Sequence, residues 1–374
     1  MEDWSETSFE IGELKVKAPI VQGGMGIGIS LGSLAAAVSN EGGVGVISAA
    51  GIGILRGCEP GKTTEANCRE LKREIEDTRR KTNGILGVNI MVALSGFNEL
   101  ARTAVETGID IIFAGAGLPL SLPECLKLGG RTKLVPIVSS AKAAGIISKW
   151  WREKFGYTPD AFVVEGPMAG GHLGFRPEQI DDPAFRLERL IPETLAVTRD
   201  LEAKTGKKIP VVAAGGIFTG KDILRFLRLG ASAVQMATRF VATEECDAHP
   251  NFKKAYVDCR EEDIQIIGSP VGLPGRAIGN EFLKRIAGEE KSSHPCRHHC
   301  ISSCSREQGS YCISAALVNA CQGRLSEGFA FIGANGYKIS EITTVPRLMS
   351  ELCSQYREAL QMEKQEPSEA FCTP

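Results

Sequence analysis

Eight short, β-branched and almost continuously apolar runs follow one another along the chain, with helix-like stretches between them. They are Pro19–Met25, Val44–Ala49, Ile85–Met91, Ile109–Gly115, Lys133–Ser140, Ala161–Glu165, Ile209–Gly216 and Ala233–Phe240. A strand that is apolar on both faces must be covered on both, which describes a parallel sheet rather than a half-solvated antiparallel one. The intervening segments are amphipathic, as in Gly220–Gly230, whose last glycine suits a helix C-cap. Eight β-then-α units predict an α/β chain folded as a TIM (β/α)8 barrel, with a doubly wound sheet of fewer strands as the alternative. Two connections are long: Gly51–Gly84, read as a loop and a charged helix over Glu65–Lys81, and Leu173–Lys208, a Pro- and Asp-rich excursion with a helix over Pro192–Thr205. Loops of that length after strands 2 and 6 are expected to cover the top of the barrel.

At 374 residues the chain could hold one large domain or two ordinary ones. The expected division is an N-terminal segment 1–18, the barrel 19–245, an extension 246–362 with a cysteine segment at 294–312 and helices near 313–323 and 345–362, and a polar, disordered tail 363–374. Forty-three basic against 45 acidic residues leave a net charge of −2, which gives no electrostatic case for binding nucleic acid or an anionic membrane. No apolar stretch reaches the length of a membrane span. The start has neither a basic n-region nor an apolar core, so a cytoplasmic setting is expected, with the twelve cysteines as reduced thiols or metal ligands.

The sixth run ends Glu165-Gly-Pro-Met-Ala-Gly170-Gly171-His172. It delivers an imidazole to the carboxyl edge of the sheet, where barrel enzymes do their chemistry, on two glycines that let a planar or anionic group approach the main chain. A packed loop histidine in a Gly-rich turn is the bland alternative to a catalytic His172. The seventh run ends in Gly215-Gly216 and the eighth in Gln235-Met-Ala237-Thr238. Loops after strands 7 and 8 form the usual phosphate site of this fold, with glycine N–H groups and the Thr238 hydroxyl as donors. Tight helix–strand packing would also select those glycines. Gln22-Gly23-Gly24-Met25 lacks the G-x-G-x-x-G spacing of a dinucleotide fold and reads as a close backbone approach to a flat ring. Asn89, Ser139, Ser140, Lys142 and Glu165 fall at strand ends. With Gln235 and Ala237 they could serve the polar edge and ribityl chain of a flavin, although each alone is as readily a cap or turn former. One phosphate site with no second nucleotide fingerprint points to FMN rather than FAD or NAD.

Cys296-x3-Cys300-x3-Cys304-x7-Cys312 places four thiols within seventeen residues, interleaved with His294, His298 and His299. Four cysteines suit a [4Fe–4S] cluster. Zinc, whose familiar spacings begin C-x2-C, and incidental thiols remain the other readings. The histidines read as solvated neighbours, and Cys58, Cys125, Cys246, Cys321 and Cys353 as ordinary core thiols.

Gln-Gly-Gly-Met25, Gly-Ala-Gly-Leu-Pro119, Pro-Ile-Val-Ser-Ser-Ala-Lys142, Glu-Gly-Pro-Met-Ala-Gly-Gly-His172, Ala-Ala-Gly-Gly-Ile217 and Gln-Met-Ala-Thr-Arg-Phe240 together resemble the nitronate monooxygenase (2-nitropropane dioxygenase) superfamily, which includes the flavin-dependent enoyl-acyl-carrier-protein reductase II enzymes. The resemblance implies an FMN-dependent TIM barrel with His172 as acid/base. The last third is similar to a narrower group, the FMN and iron–sulfur decanoyl-acyl-carrier-protein dehydrogenase/isomerases, through Ser269-Pro-Val-Gly, Arg276-Ala-Ile, the four-cysteine segment, Tyr311-Cys-Ile and Gly333-Ala-Asn-Gly-Tyr337. A shorter spacer before the last cysteine departs from that group. The implied activity is 2,3-dehydrogenation or double-bond isomerisation of an acyl-carrier-protein thioester in unsaturated fatty-acid synthesis, with a near-neutral His172 as base and the flavin as hydride acceptor. Nitronate oxidation with O2, an NAD(P)H-dependent enoyl reductase, and a flavin- or cluster-binding sensor are the rivals. Expected partners are an acyl-carrier-protein thioester or a small nitronate, with a second copy of the chain as a candidate, and neither nucleic acid nor membrane.

Overall fold

In this computed structural model the structure describes residues 4, 7–129, 131–288, 296, 298–302, 304 and 311–365. The strands in chain order are β1 (Phe9–Ile11), β2 (Leu14–Val16), β3 (Ile20–Gln22), β4 (Gly45–Ser48), β5 (Leu86–Met91), β6 (Ile111–Gly115), β7 (Lys133–Val138), β8 (Phe162–Glu165), β9 (Gly171–His172), β10 (Val211–Ala214), β11 (Ala233–Met236), β12 (Ile264–Gly268) and β13 (Pro274–Ile278). Eight of them lie in the order β3-β11-β10-β8-β7-β6-β5-β4, all parallel. A parallel bridge from Val21 to Val44 joins the two edges and closes the ring. This is the eight-stranded barrel read from the apolar runs.

The helices are α1 (Gly32–Asn40), α2 (Ile52–Leu55), α3 (Thr63–Arg79), α4 (Phe97–Glu106), α5 (Ala141–Phe155), α6 (Leu187–Thr205), α7 (Gly220–Arg228), α8 (Thr238–Val241), α9 (Pro250–Val257), α10 (Glu281–Gly288), α11 (Ile313–Cys321) and α12 (Val345–Gln365). Between β6 and β7 the crossover is a 3-10 helix, Leu122–Leu128. Local chemistry sets several boundaries. Ser140 Oγ caps α5 by accepting from the Ala143 N–H, and Gly156 ends it at φ +64°. Thr219 and Asp222 form a reciprocal capping box at the start of α7. None of the described helices is long and apolar enough to cross a membrane.

Four boundaries differ from the sequence reading. The charged helix runs from Thr63 to Arg79, two residues earlier than expected. Helix α6 begins at Leu187, not Pro192: burial of Leu187, Leu190 and Ile191 outweighs the single backbone bond that Pro192 removes. The eighth strand stops at Met236, and Thr238–Phe240 turn into α8. Residues 363–365 are helical rather than tail, with Glu363 paired to Arg228 at 3.1 Å; 366–374 lie outside the described residues.

Two features had no counterpart in the sequence reading. The β1–β2 hairpin sends Phe9, Ile11 and Val16 into the same buried cluster as the barrel-interior residues Val46, Phe113 and Val135. The segment around Gly268–Gly275 is the turn of an antiparallel hairpin, β12 and β13, which adds β9 as a third strand. Behind that sheet, buried Arg276 donates through one guanidinium nitrogen to the carbonyls of Pro167 (2.5 Å) and Ala169 (2.9 Å). The extension thereby fixes the loop that carries His172.

Replacing Arg276 with Met should leave those carbonyls without their donor. A loss of about 2–4 kcal/mol is expected, since bonds to a charged donor are worth about 1.5–3 kcal/mol each and do not add fully. A lowered thermal midpoint by circular dichroism, not restored by Arg276→Lys, is the expected result.

Candidate active site

The C-terminal edges of the strands open into a cavity of about 240 Å3. Gly23, Gly24 and Met25 after β3, Asn89 in β5, Glu165 at the end of β8, and Gln235, Ala237 and Thr238 around the end of β11 all line it. Gly170, Gly171 and His172 line it too. Gly24 packs so closely on β5 that a Cβ there would lie 2.3 Å from the Cβ of Asn89. Gly171, at φ +82°, is the opposite case: its missing Cβ would meet nothing within 4 Å, which leaves main chain open toward a ligand.

Five of the expected cofactor residues stand elsewhere. Gln22 is fully buried, with Oε1 accepting from the Val46 N–H (2.9 Å) and Nε2 donating to the Gly23 carbonyl (2.5 Å). It spends its amide inside the barrel wall. Lys142 is exposed on α5, and Ser139 packs against Gly174. Gly215 and Gly216 do not line the cavity. They sit beneath Met168 and Ala169, and Asn335 Nδ2 donates to the Gly216 carbonyl at 2.6 Å. The Gly333 N–H likewise donates to Thr238 Oγ1 at 3.0 Å, so the extension crosses the region where the glycine pair had placed a phosphate.

His172 sits on β9 opposite Gly275. Its Nε2 is 2.8 Å from Ser269 Oγ, and its ring packs edge-on against Phe331 with centroids 5.0 Å apart. Burial lowers its pKa from 6.5 to about 4, so the imidazole is neutral at physiological pH rather than poised near neutrality as expected. Glu165 is displaced the other way: burial raises its carboxyl from 4.5 to about 7, with no cation or hydrogen bond among the described residues to oppose it. A neutral imidazole and a carboxyl of raised pKa thus face one cavity.

The long loops after strands 2 and 6 supply only part of the cover, through Ala50, Gly51 and the Gly170–His172 turn. The extension contributes Phe252, Tyr256, Ile313, Leu317, Phe329 and Phe331, among them every Phe and Tyr that lines the cavity. Tyr256 Oη donates to the Phe331 carbonyl and ties α9 to that wall. Ser269 was visible only within Ser269-Pro-Val-Gly, and Phe331 had no local signal.

Cys296, Cys300, Cys304 and Cys312 line a second cavity, of about 150 Å3, with Ser95, His299 and Ser314. Cys300 Sγ lies 3.0 Å from Ser314 Oγ, and the His299 N–H donates to Cys296 Sγ at 3.3 Å. Burial is the main influence raising the Cys300 pKa, with Cys312 and Cys296 adding to it. Among the described residues no group of three or more His, Cys, Asp or Glu side chains is gathered tightly enough to hold a single metal ion. Cys125, Cys246, Cys321 and Cys353 are buried thiols, as expected. Cys58 departs from that pattern: half-buried, it lies 3.8 Å from Nδ1 of His298. His299 is exposed, and His294 lies outside the described residues.

The profile of the nitronate monooxygenase family matches residues 7–355. A probable nitronate monooxygenase of Staphylococcus aureus is 26% identical over 323 residues, which is 78% of this chain and 84% of that protein. The (3aS,4S,5R,7aS)-5-hydroxy-7a-methyl-1-oxo-octahydro-1H-indene-4-carboxyl-CoA dehydrogenase of Mycobacterium tuberculosis is 25% identical over 271 residues, 72% of this chain but 66% of that enzyme, just under two thirds of its length. Among solved structures, FabK from Thermotoga maritima superposes with a TM-score of 0.71 at 26% identity, covering 94% of this chain and 96% of FabK. Nitroalkane oxidase from Streptomyces ansochromogenes, at 23% identity over 94% of this chain and 98% of its own, shares the fold with a TM-score of 0.69. A match over nearly the whole length, on a closed eight-stranded barrel, makes this chain a member of the nitronate monooxygenase family of oxidoreductases.

Proposed function

We propose that this protein is an FMN-dependent oxidoreductase of acyl thioesters, removing hydrogen from carbons 2 and 3 and able to move the resulting double bond. The observation that carries this reading is the setting of His172: a neutral base held between a strand of the extension and an aromatic wall, in a cavity whose cover is largely apolar. A small nitronate would leave that apolar wall without a use, whereas an acyl chain would bury against it. Family membership keeps nitronate oxidation as the second reading.

Gly23, Gly24, Asn89, Gln235, Ala237 and Thr238 are the residues that would hold FMN, with Glu165 facing its polar edge. The open main chain at Gly171 and the Glu165 carboxyl, for which no partner is found among the described residues, fit such a group. Bound FMN supplies a two-electron hydride acceptor. The neutral imidazole of His172 takes the carbon-2 proton as the hydride leaves carbon 3, and the 2-enoyl thioester remains. Ser269 Oγ, on Nε2, steadies the ring, and it can accept from or donate to that nitrogen according to tautomer. Return of the proton at another carbon would shift the double bond.

The four thiols fit a [4Fe–4S] cluster better than zinc. A zinc ion draws its ligands to about 2.0–2.3 Å. Here four soft donors line one cavity, and four cysteines are the ligand set such a cluster takes.

Under anaerobic conditions a saturated acyl thioester should bleach the flavin, and His172→Ala should slow bleaching by about 10²–10⁴-fold while keeping FMN. Bleaching by alkyl nitronates alone would transfer the assignment to the second reading.

Protein purified without oxygen should carry about four iron atoms and four acid-labile sulfides per chain, both lost in Cys304→Ser. Zinc in their place would remove the cluster.

The two displaced titrations also leave opposite marks on the cofactor-free protein. Glu165, with its folded pKa raised, contributes stability that is complete below about 4.5 and lost as pH rises through about 7. His172, with its folded pKa lowered, contributes stability that is complete above about 6.5 and lost as pH falls through about 4. The thermal midpoint of Glu165→Gln relative to wild type should therefore climb between about pH 4.5 and 7, and that of His172→Gln should climb as pH falls from about 6.5 to 4. Flat differences in scanning fluorimetry would show that these groups titrate normally.

A further inference from the structure

The active-site cavity and the thiol cavity are neighbours with a common wall. Cys300, Ile301, Ile313 and Ser314 line both. Cys296, Cys304 and Cys312 line only the thiol side, and Leu317, one turn along α11 from Ile313, lines only the active-site side. The partition is built from two segments. One is pinned to the loop after β5: the Ser95 N–H donates to the Cys300 carbonyl (3.1 Å), the Ser302 N–H donates to the Ala93 carbonyl (2.9 Å), and Leu94 and Ile301 form an antiparallel bridge between them. The other is the start of α11, where the Cys312 carbonyl accepts from the Ala316 N–H at 3.0 Å and Ile313 is buried. Across the partition Cys300 Sγ meets Ser314 Oγ.

We infer that Ile301, Ile313 and Leu317 form the far wall against which an acyl chain is measured, and that whatever fills the thiol cavity holds that wall at its working width. The inference rests on the acyl-thioester reading and adds the residues that set chain length. Its physical basis is economy of position. Ile301 follows Cys300 and Ile313 follows Cys312, so a group that grips both thiols also fixes the spacing of both isoleucines. With the thiol cavity empty, the two segments can part, and the wall yields to longer chains at a loss of contact for those that fitted.

Pantetheine thioethers carrying alkyl chains of about six to sixteen carbons lack the carbonyl and cannot react, so their binding to the oxidised holoprotein can be followed by calorimetry. Each methylene taken up by an apolar wall should lower Kd by about fourfold, until the chain outgrows the pocket and the series levels. Leu317→Phe should move that break to shorter chains and weaken the longest by roughly tenfold or more. Leu317→Ala should move it to longer chains. Ile301→Ala, on the other segment, reports the same shift should a Leu317 variant fail to fold. Cys304→Ser, which leaves all three wall residues in place, should flatten the break.

A break unchanged in Leu317→Phe, Leu317→Ala and Ile301→Ala, with binding retained, would overturn the wall assignment while leaving the acyl reading intact. A break that moved with these variants but kept its position and sharpness in Cys304→Ser would overturn the link to the thiol cavity. Failure of the wild type to bind longer chains more tightly, together with bleaching by nitronates alone, would overturn the acyl reading and this inference with it.

Discussion

The pairing of β13 with the two-residue strand β9 is the interaction on which the site depends. A glycine-rich turn after a barrel strand has no intrinsic reason to hold an imidazole in one place, because glycine brings the greatest backbone entropy to be lost. Here that entropy is offset from outside the barrel. Gly275 pairs with His172, the Leu173 N–H donates to the Pro274 carbonyl, and Arg276 draws in two more carbonyls of the same turn. The barrel presents the histidine, and the extension immobilises it.

That division of labour explains what was legible in the sequence. Strand count and order could be read because they rest on local apolar pattern and on a fold with strict rules. Gly24, Asn89, Glu165, Thr238 and His172 line the cavity, as their positions at or near strand ends suggest. Gln22 was misread because strand position does not say whether an amide faces a ligand or a neighbouring strand, and the Val46 N–H claimed it. Lys142 lies in the first turn of α5, which is separated from the end of β7 by two residues, and that turn carries its side chain to solvent. The pairing of β13 with β9 and the contact of Phe331 with His172 join residues more than a hundred positions apart, and no short window contains them.

The cavity sorts chemistry by origin. Its polar and glycine positions come mostly from the barrel strands and the turns after them, its Phe and Tyr side chains all come from residues after 250, and its aliphatic ones come from both. A family built on this barrel can keep the same redox floor and change what it accepts by changing the roof. The low pKa of His172 belongs to the same roof, since Phe331 and the added sheet help exclude the water that would stabilise an imidazolium.

The chain closes on itself. Gly220 at the start of α7 packs so tightly on α12 that a Cβ would lie 2.3 Å from the Leu352 carbonyl, and Gln355 accepts the Gly220 N–H at 2.9 Å. Near the other end Trp4 lies against Tyr356, ring centroids 5.6 Å apart. The last long helix thus clasps both the barrel flank and the start of the chain. Such a molecule resembles a buckled belt more than a barrel with an appendix. Trp4 and Tyr356 are 352 positions apart in the chain, so the loss of either ring would loosen the hold of the last helix on a segment that no local contact could secure.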